Sequence, residues 1–314
     1  CIRDRIIEEP IPGGIVSPKG KLIYIIALVI GIGIPISIIY LLNLLRFRIE
    51  GHTDVEKLTT VPIIGDIPLT DAGKNGTPTI AVRENDNNIM AETFRSLRTN
   101  LLFIMGDPDK KVILVTSTIS GEGKTFMASN LAVSLALLGK KVILVGLDIR
   151  KPGLNKIFHL SHKEKGITQY LAAPQSTDLH ALIQPSGITS NLDLLLGGPI
   201  PPNPTELLAR QSLEDTISTL RKEYDYIVLD TAPIGMVTDT LILSRVADAS
   251  IYVCRADYTH KTDYQLINEL QEHHRLPNLC TVVNGIDMKK KKYGYYYGYG
   301  CLLYASPSPR DRSL

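Results

Sequence analysis

From about residue 89 onward the chain alternates between two hydrophobic rhythms. Short unbroken apolar runs read as strands buried on both faces: KKVILVT (110–116), KVILVG (141–146), LDLLL (192–196), YDYIVLD (224–230), ASIYVC (249–254) and LCTVVN (279–284). Between them, apolar residues recur at three- and four-residue spacing over 123–140, 205–222, 238–246 and 262–275, which predicts helices. Strands alternating with helices predict an α/β fold, a doubly wound and mostly parallel sheet covered on both faces. The sequence carries no internal repeat.

One stretch follows neither rhythm. Residues 22–45, LIYIIALVIGIGIPISIIYLLNLL, hold no charge. A helix of that length reaches roughly 36 Å, more than the ~30 Å hydrocarbon core of a bilayer. This predicts a transmembrane helix over 21–46, in which Gly31, Gly33 and Pro35 are acceptable. Lys19 and Lys21 precede it and Arg46 and Arg48 follow it, so flanking charge sets no direction. After it come DVEKLTTVPIIGDIPL (54–69), apolar and closed by prolines, and a polar stretch over 70–88. The expected organisation is a proline-rich end of an extracytoplasmic region (1–20), the span (21–46), a juxtamembrane segment and linker (47–88), a catalytic domain (89–288) and a disordered Lys/Tyr-rich tail (289–314).

Composition narrows the classes. The chain is 44% hydrophobic and 21% charged with a net charge of +2, so no basic field points to nucleic acid. Cys1, Cys254, Cys280 and Cys301 form no C-x-x-C pair and read as isolated reduced thiols. A start at cysteine rather than methionine reads as a piece of a longer protein.

The first apolar run leads directly into STISGEGKT (117–125), and a helical pattern follows. Strand, glycine-rich turn and helix are the context a phosphate-binding loop requires. Its glycines turn backbone N–H groups toward phosphate oxygens, and the helix N-terminus adds its dipole. Ser120, Gly121, Glu122, Gly123, Lys124, Thr125 and Phe126 are therefore candidates for contact with ATP. Lys124 would sit against the β- and γ-phosphates and Thr125 would hold Mg²⁺. Thr118 stands where the usual pattern begins with glycine. Asp230 ends the run YDYIVLD, placed to hold Mg²⁺ directly or through water. VILVGLDIRKPGL (142–154) reaches the same rim, where ligands of such sheets gather. There Asp148 can bind Mg²⁺ or take the proton of an attacking hydroxyl. Arg150 and Lys151 offset phosphate charge or form a solvated turn. A dehydrogenase is excluded, since GEGKTF lacks the third glycine of a dinucleotide turn.

The combination of GEGKT, LDIRKP, GGPIPPNPTELL (197–208), ETFRSLR (92–98) and a tyrosine-rich C-terminus resembles the bacterial tyrosine kinases that form the cytoplasmic part of polysaccharide co-polymerases. The resemblance covers nearly the whole chain. It implies a P-loop NTPase fold of the MinD/ParA type and an ATP- and Mg²⁺-dependent protein-tyrosine autokinase. It also implies a bacterial inner-membrane location with a cytoplasmic kinase domain, residues 1–20 then lying outside. The implied partners are a ring-like homo-oligomer, the polysaccharide polymerisation and export machinery and a tyrosine phosphatase. In the family an E-x-x-R-x-x-R helix joins subunits, which makes Glu92, Arg95 and Arg98 interface candidates. From the residues alone, Glu92 and Arg95 are an ordinary i,i+3 pair. Asn284, in VVNGID, reads the adenine edge by resemblance or caps a strand end by its own turn chemistry. The family's second aspartate motif reads D-x-D; here Gly146 takes the first place and Asp148 alone remains.

Five of the fourteen tyrosines fall in KKKKYGYYYGYG (289–300). Glycine keeps such a segment pliable, so Tyr293, Tyr295, Tyr296, Tyr297 and Tyr299 are the expected phosphoacceptors, modified by a neighbouring subunit. Phosphates there would bind the lysine run or repel neighbouring tails. Two other readings remain open at this point. One is a membrane-anchored scaffold ATPase with weak or no kinase activity, which Gly146 allows. The other is a positioning ATPase, against which stands the lack of an early lysine in ISGEGKT.

Overall fold

The computed structural model describes residues 20–44, 47–69, 79–84, 88–160 and 165–288. The tail with its tyrosines and lysines, Cys1, Cys301 and residues 1–19 lie outside the described residues. The chain divides into two units, one ending at Phe47 and one beginning at Arg48. The first contains helix α1, Gly20–Leu44, with Pro35 inside it. Its segment Gly20–Tyr40 is long and apolar enough to cross a membrane, and none of it is buried against protein.

The second unit is built on one eight-stranded sheet. Its elements in chain order are α2 (His52–Leu58), β1 (Ile63–Pro68), α3 (Ile89–Met105), β2 (Val112–Ser117), α4 (Lys124–Ala136), β3 (Val142–Gly146), α5 (Leu154–Ile157), α6 (Ile167–Ala172), β4 (Ile183–Pro185), β5 (Leu192–Leu195), α7 (Pro204–Leu208), α8 (Gln211–Glu223), β6 (Tyr226–Asp230), α9 (Asp239–Leu243), β7 (Ala249–Arg255), α10 (Lys261–Tyr264), α11 (Leu266–Glu272) and β8 (Leu279–Ile286). The spatial order is β1-β8-β7-β2-β6-β3-β5-β4. All neighbours are parallel except β4 against β5.

The unbroken apolar strands are explained by burial on both sides. In β2, Ile113 and Val115 pack with α3 and α4, through Phe94, Leu97, Met127, Leu131 and Leu135. Val112 and Leu114 face the opposite layer, with Leu213, Ile217 and Leu220 of α8. α3 begins where the Asn88 side chain accepts the Ala91 N–H at 2.8 Å, and ends at Gly106 in the left-handed region.

The strands foreseen from the pattern are present; β2, β3, β5 and β6 are one or two residues shorter than expected, while β7 and β8 run on to Arg255 and Ile286. Two strands were not foreseen. β1 lies inside the segment 47–88 read as juxtamembrane linker, yet it pairs in parallel with β8. Ile49, Val55, Val61, Ile64 and Ile67 are buried. The segment VPIIGDIP reads only as apolar and closed by prolines, but an edge strand accepts proline at its end. β4 is three residues long and antiparallel, too short to show a rhythm. Two stretches read as single helices are each split. Arg210 is extended between α7 and α8, and Gln265 separates α10 from α11. The stretch 238–246 is α9 followed by a 3₁₀ turn over Ser244–Val246.

Just after α1, the extended residues Arg48–Glu50 run along the loop that follows β7. Arg48 bridges His260, the Ile49 N–H donates to the Thr259 carbonyl at 2.9 Å, and the Asp257 N–H donates to the Ile49 carbonyl at 2.7 Å.

Candidate active site

Three adjacent parallel strands, β2, β6 and β3, bring three motifs to one rim of the sheet. β2 runs into the loop 118–123 and α4. β6 ends at Asp230, and β3 leads through Gly146 and Leu147 to Asp148. The register sets Gly146 opposite Asp230. The N–H groups of Leu147 and Asp148 both donate to the Asp230 carbonyl, at 2.8 and 2.9 Å, fixing the two aspartate segments together.

The loop conformation requires its glycines. Gly121 and Gly123 have φ of 92° and 101°, left-handed values that side chains rarely adopt. A Cβ on Gly123 would run into the Asn284 amide. Glu122 is a buried strut within the loop. Its carboxylate accepts the Ile119 N–H at 2.7 Å and the Thr259 hydroxyl. Burial raises its pKa, opposed by those hydrogen bonds.

Lys124, the first residue of α4, places Nζ 2.9 Å from Asp148 Oδ2. Both side chains are nearly buried, at 11% and 5% exposure, so this is a desolvated pair with strong mutual dependence. The Lys151 N–H donates to Asp148 Oδ1 at 3.0 Å and orients the carboxylate. Asp230 is 1% exposed. Burial pushes its pKa up to about 7; Lys124 pulls it down, Asp148 pushes it up, and a hydrogen bond from Thr125 pulls it down. Its Oδ1 has no hydrogen-bond partner among the described residues.

An orphaned buried carboxylate oxygen beside a threonine hydroxyl, at the mouth of a phosphate loop, fits a divalent cation. Among the described residues no group of three or more His, Cys, Asp or Glu is placed to cage an ion alone. The donor set therefore suits a hard cation that completes its shell with phosphate oxygens and water, as Mg²⁺ does.

The other candidate residues are held by partners within the protein. Arg150 does not stand free for phosphate. Its guanidinium donates to Asp239, Nε to Oδ2 at 2.6 Å and Nη2 to Oδ1 at 3.0 Å, and to the Thr205 hydroxyl at 2.8 Å. It fastens the LDIRKP loop to α7 and α9. Phe126 packs edge-to-face on Phe94, centroids 6.0 Å apart, and joins α3 to α4. Asn284 donates to the Glu122 carbonyl at 2.8 Å, so it braces the loop. Ser120 offers its carbonyl to the Tyr258 hydroxyl at 2.9 Å. Glu92 and Arg95 form an exposed ion pair on α3, while Arg98 donates to the Ser134 carbonyl and ties α3 to α4. Gly146 is crowded: a Cβ there would lie 3.1 Å from both the Gly197 nitrogen and Leu154 Cδ1.

Sequence reasoning missed Arg255, Tyr258, Thr259 and Asp239. Arg255 ends β7 and Tyr258 and Thr259 follow it at the same rim, so their position at the end of a strand was the available signal. Asp239 opens α9, nine residues after Asp230, and carries no motif.

Residues 110–279 match the family model described as "AAA domain". The tyrosine-protein kinase YwqD of Bacillus subtilis is 36% identical over 210 residues, which is 67% of this chain and 87% of that protein. A protein described as a putative tyrosine-protein kinase, EpsB of Ralstonia nicotianae, is 30% identical over 309 residues; the match takes in 95% of this chain but spans only 40% of EpsB. Among solved structures, the kinase domain of the Escherichia coli tyrosine kinase ETK superposes with a TM-score of 0.64 at 27% identity, covering 76% of this chain and 95% of that domain.

Proposed function

The chain belongs to the bacterial tyrosine-kinase family, and from that premise we propose that it is an ATP- and Mg²⁺-dependent autokinase whose acceptors are Tyr293, Tyr295, Tyr296, Tyr297 and Tyr299 of a neighbouring copy. The observation that carries the reading is the meeting of Lys124, Asp148, Asp230 and Thr125 at one rim, with a buried carboxylate oxygen left unpartnered.

Phosphoryl transfer asks mainly for positioning and charge neutralisation. The N–H groups of residues 121–123 and the start of α4 bind the phosphate chain. Lys124, held by Asp148, brings a positive charge to the terminal phosphates. Thr125 and Asp230 would hold Mg²⁺, which supplies neutralisation of phosphate charge when bound. Asp148 orients the incoming phenol and accepts its proton. The phenol oxygen bonds to the γ-phosphorus as the bond to the β–γ bridging oxygen breaks, and ADP leaves. With both carboxylates nearly buried, water competes poorly with the phenol.

We place the kinase unit in the cytoplasm, with α1 as an inner-membrane anchor and residues 1–20 on the far side. On this reading the enzyme works as a ring of copies through the Glu92–Arg95–Arg98 face of α3, regulates capsule or exopolysaccharide polymerisation and export, and is reset by a tyrosine phosphatase. The test is incubation with Mg-ATP followed by mass-spectrometric mapping of phosphotyrosine, with a Lys124→Met control and a mixed sample of tagged and untagged chains. Labelled tail tyrosines on the Lys124→Met partner support transfer between copies. ATP hydrolysis without any labelled tyrosine overturns the proposal.

A further inference from the structure

Three consecutive carbonyls of the phosphate loop are each capped from outside by a side chain. Tyr258 Oη donates to the Ser120 carbonyl at 2.9 Å, Arg255 Nη1 to the Gly121 carbonyl at 3.0 Å, and Asn284 Nδ2 to the Glu122 carbonyl at 2.8 Å. Arg255 ends β7, and Asn284 is its register partner on β8. The Arg255 guanidinium also lies over the Tyr258 ring, 5.3 Å from its centroid, so the two brace each other. Thr259, in the same loop, holds the Glu122 carboxylate and accepts the Arg255 N–H at 2.9 Å. From behind, Ile49 pins this loop by main-chain bonds to Asp257 and Thr259.

A trans peptide points its N–H opposite to its C=O. Holding the carbonyls of residues 120–122 on the outside therefore turns the N–H groups of Gly121, Glu122 and Gly123 to the inside of the loop. Backbone N–H groups arranged this way make an anion-binding hollow. Left-handed glycines would otherwise sample many orientations, and ordering them on binding would weaken affinity.

We propose that Arg255, Tyr258 and Asn284 form a clasp that presets the phosphate grip of the loop, acting as positioning residues through its backbone rather than by touching the nucleotide base. The clasp rests on the nucleotide-binding reading above, and gives Asn284 a task other than reading adenine. Its ligand is the polyphosphate moiety, so its effect is blind to the base.

The test is calorimetric titration of the detergent-solubilised full chain with Mg-ATP and, separately, with Mg-tripolyphosphate. Tyr258→Phe, Asn284→Ala and Arg255→Met each remove one cap, and each weakens both ligands by the same factor, about 3- to 10-fold. Arg255→Lys keeps a donor and recovers most of the affinity. Tyr258→Phe keeps the ring and isolates the hydroxyl from packing. Loss of ATP affinity with tripolyphosphate unaffected would overturn the clasp in favour of base recognition. Unchanged binding of both ligands in all three variants would overturn it outright. A wild-type chain that binds neither ligand sinks the nucleotide reading itself, a different result from either.

Discussion

Asp230→Asn reads out the cost of burying the carboxylate proposed to hold Mg²⁺. In the unliganded protein the Asp230 carboxyl titrates near 7 instead of the ordinary 3.8, chiefly through burial. A carboxyl raised in the folded state binds more protons folded than unfolded between those values. Its contribution is therefore fully present below about pH 4, fades as pH climbs through 7, and is gone by about pH 8. Moving the titration that far is worth roughly 4 kcal/mol. For a folded unit of this size that corresponds to about 8–16 °C in melting midpoint. The assay is thermal melting of the unliganded, EDTA-treated chain between pH 4 and 8, wild type against variant. Asparagine fills the same space without a charge, so the variant lacks this pH-dependent loss. Relative to the wild type its midpoint climbs with pH between 4 and 7 and levels off above 8, while tyrosine labelling is lost. Titrating groups remote from the site are common to both proteins, so the difference curve reports Asp230 together with the Lys124 and Asp148 charges it interacts with. Parallel melting curves across the whole range would refute the reasoning.

Three further outcomes follow from the same geometry. Lys124→Met removes the ammonium beside Asp148 and lowers phosphotyrosine incorporation to below about one-hundredth of wild type, read by quantitative mass spectrometry. Arg150→Ala leaves the buried Asp239 without its main partner and costs roughly 2 kcal/mol, discounted because Arg150 is 37% exposed. Burial alone would raise the Asp239 pKa, but hydrogen bonds from Arg150 and Thr205 win and hold it below the carboxylate range. The melting deficit is therefore present at pH 7 and shrinks as pH falls through the acid range. Gly123→Ala weakens Mg-ATP at least tenfold in a titration, because it forces a side chain onto φ 101° and into the Asn284 amide; Asn284→Gly in the same chain relieves only the crowding.

The central strands and the three motifs on them were legible because each strand is buried on both sides and ends in chemistry. VILVT, VILVG and YIVLD announce themselves by unbroken apolar runs, and the parallel fold then places Lys124, Asp148 and Asp230 at one rim. The periphery was not legible. β1 hides among prolines, and β4 is too short to carry a period. Arg150 looked available for phosphate because its partner Asp239 lies 89 residues away, at the start of a helix whose pattern says nothing of what its first residue will meet. The clasp was invisible for the same reason: Arg255 and Tyr258 meet the loop 134 and 138 residues upstream, a distance only the fold can close.

The edge strand β1 has a practical consequence. Trimming the protein to begin at residue 89 would strip β1 from β8 and bare a row of unpaired N–H and C=O groups from Thr281 to Ile286. In the intact chain that flank is blunted by Pro62, Gly65, Asp66 and Pro68, which make poor templates for a further strand. A fragment cut at 89 will precipitate or stick to its own copies, whereas one cut at Arg48 keeps the flank covered and stays dispersed, a contrast that a single gel-filtration run displays.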